Sequence, residues 1–221
     1  QVPLYVNDPV AVTAEGTPVR IIRNAETNLG DLCADAYRAL SNADIAFVNG
    51  GGIRKQIEAG DITLDDIYSV HPFGNTMCVI RVTGQQVLDA LEWGARAVPS
   101  ENGGFLQVSG LTYEIHTGVA SSAEKDENGM FTRVSGEYRV KNVMVGGQPL
   151  ELDKTYTLAS HNYMLLGHGD GYTMFDGCEV LGEDMMVDNQ VLITYITTTL
   201  GGVVGEQYAN PYGDGRIVAV E

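Results

Sequence analysis

Several stretches of this chain set a charge or an aromatic ring beside residues that bare the backbone. In FVNGGGIR, Asn49 and Arg54 flank glycines, and Gly51 and Gly52 leave the main chain free for close approach or for positive φ angles. Arg23 stands just ahead of NAETNLGDL. HPFGN holds the Phe73 ring between a proline and a glycine, and NYMLLGHGDGY carries Tyr163 ahead of Asp170, an aspartate with glycine on both sides. A guanidinium fork suits the oxygens of a phosphate or carboxylate, a turn can fix a ring at a defined place, and flanking glycines free a carboxylate to reach a ligand. Taken singly, each stretch also fits an ordinary loop with a solvated arginine, a core phenylalanine beside a turn, or a simple hairpin turn.

Bond-breaking chemistry has little to stand on. His71, His116, His161 and His168 are the only histidines, and none has the clustered spacing of a metal centre, so each is expected at the surface or in a hydrogen bond. Cys33, Cys78 and Cys178 sit among apolar residues without metal-type spacing and are expected in the core. Neither a G-x-S-x-G elbow nor a phosphate-binding P-loop is present. A formal net charge of −16 argues against a nucleic-acid partner, since polyanion binding needs clustered Lys and Arg, yet one or two well-placed arginines can still bind a small anion. No apolar run is long enough to span a membrane. The opening QVPLYVND lacks a basic stretch followed by an apolar one, which carries no meaning if the chain is a processed form or a fragment.

The elements that must hold these groups can be read from periodicity and capping. Residues 1–22 read as an extended lead-in. Thr27 or Asn28 caps a helix through LGDLCADAYRAL, whose Leu29, Leu32, Cys33, Ala36 and Leu40 share a face. DIAFV reads as a strand buried on both faces, and Thr63 caps a short helix. TMCVIRV is a strand, followed by a helix that Thr83 and Gln86 open at capping-box spacing. FLQVSGLTYEIHT is a strand pair or one bent strand, SSAEKDENG a loop tip, and FTRVSGEYRVKNVMVGG further β structure. YTLASHNYML is a strand running into the glycine turn, 185–200 a helix, and RIVAV an edge or terminal strand. Strands and helices alternate without a βαβ repeat, so the expected fold is an α+β domain with a mixed sheet and flanking helices, in one compact unit.

Together and in this order, ETNLGDLCADAY, ADIAFVNGGGIRKQIEAGDIT, VHPFGNTMCVIRVTGQQVLDALE, GGFLQVSGLTYEI and NYMLLGHGDGY resemble the C-terminal domain of the 5′-nucleotidase family, which includes UDP-sugar hydrolases and 2′,3′-cyclic-nucleotide phosphodiesterases. The resemblance covers nearly the whole chain. It implies that residues 1–221, with 1–22 as lead-in, form a nucleotide-substrate-binding domain. A separate N-terminal metallophosphatase domain of the parent chain would carry two divalent metal ions, and this chain would take no cofactor of its own. The implied partner is an AMP-like nucleotide or nucleoside, with no nucleic acid and no membrane insertion, and the implied location is extracellular, periplasmic or at the cell surface.

By the same resemblance, Asn49 hydrogen-bonds the base, Gly51 and Gly52 keep the loop low, and Arg54 and Arg23 approach the phosphate. Phe73 and Tyr163 sandwich the base, and Asp170 accepts hydrogen bonds from the ribose. Rings stack on any base and a carboxylate suits a vicinal diol, so these roles are chemically coherent. Stacking uses the face of Tyr163, which makes its hydroxyl dispensable in this reading. Two departures stand out: His168 replaces a glycine in the usual GGDG turn, where a positive φ would strain it, and Asp31 replaces an arginine that binds substrate in some members. A standalone nucleoside-binding module and a structural domain with a degenerate pocket are the alternatives.

Overall fold

The computed structural model describes residues 2–221. Its strands are β1 (Ile45–Asn49), β2 (Met77–Thr83), β3 (Leu106–Ser109), β4 (Leu111–His116), β5 (Ala123–Lys125), β6 (Phe131–Val134), β7 (Val140–Val145), β8 (Gln148–Pro149), β9 (Thr155–His161), β10 (Glu179–Gly182) and β11 (Ile217–Val220). The α-helices are α1 (Asn28–Ser41), α2 (Leu64–Val70), α3 (Gly84–Ala95), α4 (Asn162–Leu165) and α5 (Asp188–Thr194). A five-stranded sheet has the order β10-β2-β9-β1-β3, a second sheet the order β11-β4-β7-β8, and β5 pairs with β6 alone. In the larger sheet only β1 and β9 run parallel, so the α+β class with a mixed sheet holds.

The sheet is buried on both faces because its central strands alternate between two apolar clusters. Ile45 and Phe47 of β1, with Ile80 and Val82 of β2, join a core with α3 and the second sheet. Ala46 and Val48, with Met77 and Val79, join a core with α1, α2 and α5. A period of two along a strand sends successive side chains to opposite faces, and both faces are covered here. The helix caps follow the sequence: Thr27, not Asn28, accepts from Gly30 N, and both Thr63 with Asp66 and Thr83 with Gln86 complete capping boxes.

Several expectations change. The lead-in is no mere approach: Leu4 is fully buried and bridges Ile57. FLQVSGLTYEIHT splits at Gly110 (φ 82°) into β3 and β4, which belong to different sheets. A third of SSAEKDENG, Ala123–Lys125, is strand β5, and the tip at Asp126–Gly129 turns. The NYML stretch forms α4 rather than prolonging β9, because Asn162 Oδ1 accepts from Tyr163 N and turns the chain. The helix expected over 185–200 is α5 continued by a π-turn through Tyr195–Thr199. Cys33 and Cys78 are buried as expected, but Cys178 is partly exposed.

The C-terminal arm is fastened by charge. Arg216 meets both oxygens of Asp35 at 2.7 and 2.9 Å, and the Glu26 carboxylate accepts from the backbone of Asp214, Gly215 and Ile217. Asp31 lies beside them with Arg216 Nε 3.6 Å away, too far for a good hydrogen bond. Burial, with Glu26 and Asp214 close by, outweighs Arg216 and pushes Asp31 up to about 9. An aspartate that holds its proton more tightly folded than unfolded adds stability that is complete below about pH 4 and is lost as pH rises toward 9. Asp31→Asn removes that dependence. Relative to the natural chain, the variant should therefore gain more than about 1 kcal/mol on going from pH 5 to pH 8 in thermal melts. A difference that stays flat across that range would mean Asp31 ionises like an exposed carboxylate.

Candidate ligand-binding cleft

One edge of the larger sheet collects the four stretches that the sequence singles out. Strands β1 and β9 run parallel, so the GGGIR loop after one and the GHGDG turn after the other leave at the same end. Strand β2 is antiparallel to β9, with Met77 opposite His161, which brings the preceding HPFGN loop to that end too. Strand β3 is antiparallel to β1, with Leu106 opposite Asn49, and so delivers Gly103. Between these loops lies a cleft of about 380 Å³, within the size range of small-molecule sites. Arg23, Asn49, Gly51, Gly52, Arg54, Phe73, Tyr163 and Asp170 all line it.

The glycine run answers to close approach on every side. A β-carbon on Gly50 would lie 2.1 Å from the carbonyl oxygen of Ile22, and one on Gly51 would lie 2.9 Å from that of Gly103. On Gly52 it would lie 2.6 Å from Asn49 Oδ1. The loop is pinned by main-chain bonds from Gly50 N to Phe105 O and from Gly51 N to Gly103 O, both 2.7 Å. Three separate neighbours therefore demand the three glycines.

Asp170 is held from three sides. Its Oδ2 accepts from Asn49 Nδ2 at 2.6 Å, its carbonyl accepts from the Trp93 indole at 2.9 Å, and Tyr163 Oη lies 3.3 Å from both its Oδ1 and its amide nitrogen. Asn49 Oδ1 in turn lies 2.9 Å from His161 Nε2. Both His168 and Asp170 adopt φ 55°, the left-handed region expected where His168 replaces glycine, and His168 pairs with Asp176. The Tyr163 hydroxyl is thus part of the Asp170 setting, which corrects the expectation that only its ring face matters.

Phe73 and Tyr163 are 59% and 44% exposed, so neither is a core ring. Arg54 donates to Gly51 O at 3.2 Å, and its guanidinium carbon lies 5.8 Å from the Phe73 ring centre. Arg23 keeps a buried Nε–H without a protein partner, and burial, with Arg20 and Arg54 nearby, lowers its proton affinity. Arg20 is tied to Glu101 at 2.6 Å. The cleft rim thus concentrates guanidinium charge on an acidic chain, where an oxyanion would relieve the repulsion.

Asp31 is not in the cleft. It is buried beside Glu26 and Arg216. Glu26, Asp31 and Asp214 bring carboxylate oxygens together, but none lines the cleft, and Arg216 already supplies their cation. Sequence reasoning missed Asn75 and Gly103, which also line the cleft, and His161, His71 and Trp93, which stand behind it. Asn75 sits inside the HPFGN motif and could have been found there. His161 and Trp93 end a buried strand and lie inside a helix, where nothing local separates a support from a core residue.

The fold and the cleft define an α+β domain with a loop-built site at one end of the larger sheet. The chain belongs to the family described as "5′-nucleotidase, C-terminal domain", whose sequence profile matches residues 9–177. It is 36% identical over 203 residues to the trifunctional nucleotide phosphoesterase protein YfkN of Bacillus subtilis, covering 90% of this chain and 13% of that protein. It is 35% identical over 176 residues to the 5′-nucleotidase of Vibrio parahaemolyticus, covering 80% of this chain and 28% of that one. The chain thus spans well under a third of the length of these relatives. Among solved structures, the 5′-nucleotidase precursor of Thermus thermophilus superposes with a TM-score of 0.77 at 30% identity, over 99% of this chain and 38% of that chain.

Two substitutions separate the loop's close packing from its exposed ring. Gly50→Ala should cost roughly 1 to 3 kcal/mol of stability, because the new methyl group meets backbone that cannot swing aside. Phe73→Ala should cost less than about 1 kcal/mol, against about 3 to 5 for a buried phenylalanine. Urea melts of both variants check this, and a large loss at Phe73 would place its ring in a core.

Proposed function

We propose that this domain holds the base, ribose and phosphate of a nucleotide for hydrolysis by a separate metallophosphatase domain of the same parent chain. The observation that carries the reading is the meeting of two exposed rings, a fixed carboxylate and two guanidinium groups in one cleft of about 380 Å³. Phe73 and Tyr163 stack on the base, and Asp170 accepts from the ribose hydroxyls. Arg54 and Arg23 meet the phosphate. Asn49 commits one N–H to Asp170 and has the other for an acceptor on the base. Gly51 and Gly52 keep the floor low enough for the ligand to reach that amide.

The domain's contribution to catalysis is positioning. Two divalent ions in the other domain would activate water and polarise the phosphoryl group, chemistry for which the groups lining this cleft offer no ligand cluster. The small share of each relative that this chain spans supports a larger parent. The reading also places the protein outside the cytoplasm, in the periplasm, at the cell surface or beyond it. No helix among the described residues is long and apolar enough to cross a membrane.

In titration calorimetry, Phe73→Ala and Tyr163→Ala should each weaken adenosine by about 1 to 3 kcal/mol, as loss of base stacking does. Arg23→Ala and Arg54→Ala should weaken AMP more than adenosine. Equal losses for the two ligands would take the arginines away from the phosphate, and unchanged adenosine binding in both ring variants would sink the sandwich.

The chain by itself should release no phosphate from AMP when Mn²⁺, Zn²⁺ or Mg²⁺ is added. Metal-dependent release that copurifies with the chain would overturn the division of labour between two domains.

A further inference from the structure

Three polar groups at the floor of the cleft admit only one placement of their protons. His161 Nε2 is 2.9 Å from Asn49 Oδ1, and Asn49 Nδ2 is 2.6 Å from Asp170 Oδ2. His161 and Asn49 are 2% and 4% exposed, so a donor buried there without a partner is costly. Were the amide turned over, its oxygen would face a carboxylate oxygen, acceptor against acceptor. Were the imidazole protonated on Nδ1 instead, the Nε2 lone pair would face the amide oxygen. A buried Nδ1–H would also be left with no partner, since none lies within reach. The neutral Nε2–H form, donating to Asn49, gives the buried imidazole N–H its partner and leaves only the Nδ1 lone pair unmet.

We propose that His161, which does not line the cleft, is a positioning residue. Its Nε2–H locks the Asn49 amide and, through it, holds the Asp170 carboxylate facing the ribose hydroxyls. The assignment rests on the nucleoside reading above. Gly52 makes room for it, since a β-carbon there would lie 2.6 Å from Asn49 Oδ1 and 3.7 Å from His161 Nε2. The buried ring has the aromatic rings of Tyr37 and Tyr163 as neighbours, with centroids 6.4 and 5.9 Å away. Burial, with His71 close by, depresses its proton affinity to about 4, which keeps it neutral at ordinary pH.

The specificity consequence is direct. Loss of the His161 donor frees the amide to rotate, so Asp170 loses a fixed partner while the stacking rings stay in place. Ligands that use the diol should suffer, and ligands that lack it should not.

The test combines NMR with binding to His161→Leu and His161→Gln. Long-range ¹⁵N–¹H correlation spectra of the natural chain should show the neutral Nε2–H tautomer. His161→Leu should weaken adenosine about tenfold and 2′,3′-dideoxyadenosine less than about twofold. His161→Gln can still donate to Asn49 and should recover most of the loss. An Nδ1–H tautomer, unchanged adenosine binding in His161→Leu, or equal losses for both ligands would each overturn the role of His161. If His161→Leu fails to fold, the tautomer and the His161→Gln selectivity still decide. A natural chain that binds adenosine no better than the dideoxy compound overturns the ribose role of Asp170 and the nucleoside reading with it. That failure is distinct, because it leaves the tautomer result intact.

Discussion

The parallel pairing of β1 with β9 at the centre of the larger sheet is the constraint on which the cleft depends. Two parallel neighbours end at the same side, so strand direction alone brings together the loops that follow them. The antiparallel partners β2 and β3 then add the loops that precede them. Were β2 parallel to β9, Phe73 would lie at the opposite end of the sheet from Tyr163. The site is therefore a property of strand order first and of loop sequence second.

Convergence of loops also creates crowding, and the chain resolves it with glycine and with buried polar pairs. Main chain from the Ile22 and Gly103 regions packs directly on the glycine loop, at distances that no β-carbon could tolerate. Into the space left beside it fit a histidine, an amide and a carboxylate, each meeting the other's hydrogen-bonding needs. Such a network is costly when incomplete and specifies a single arrangement when complete. Fixing a carboxylate in this way lets it meet a ligand without first being ordered.

Charge is distributed with the same economy. The chain carries 29 acidic and 13 Lys and Arg residues, yet Arg20, Arg23 and Arg54 gather near one rim, where Arg20 is already neutralised by Glu101. Away from the cleft, Arg216 draws Asp35, Asp214 and the buried Asp31 together and ties the C-terminal arm to α1. Acidity over most of the surface and guanidinium at one edge are compatible because short-range pairing is screened far less than the long-range field.

Local signals alone determined much of this protein. The capped helices at Thr27, Thr63 and Thr83, the doubly buried strand β1 and the left-handed turn at His168 are legible because capping, periodicity and φ preference act over a few residues. The four stretches that line the cleft stood out by glycine, proline or charge, but each alone also fitted an ordinary turn, and only their resemblance as a set pointed to a ligand site. Tertiary structure decided the rest. Whether FLQVSGLTYEIHT forms one strand or two sheets depends on what packs against Gly110, and whether Asp31 faces a ligand or Arg216 depends on where the C-terminal arm lies. Nothing local to His161 or Trp93 marks a supporting role in sequence. Their partners, Asn49 and Asp170, lie far along the chain, and hydrogen bonds of that range leave no periodic trace for a local reading to find.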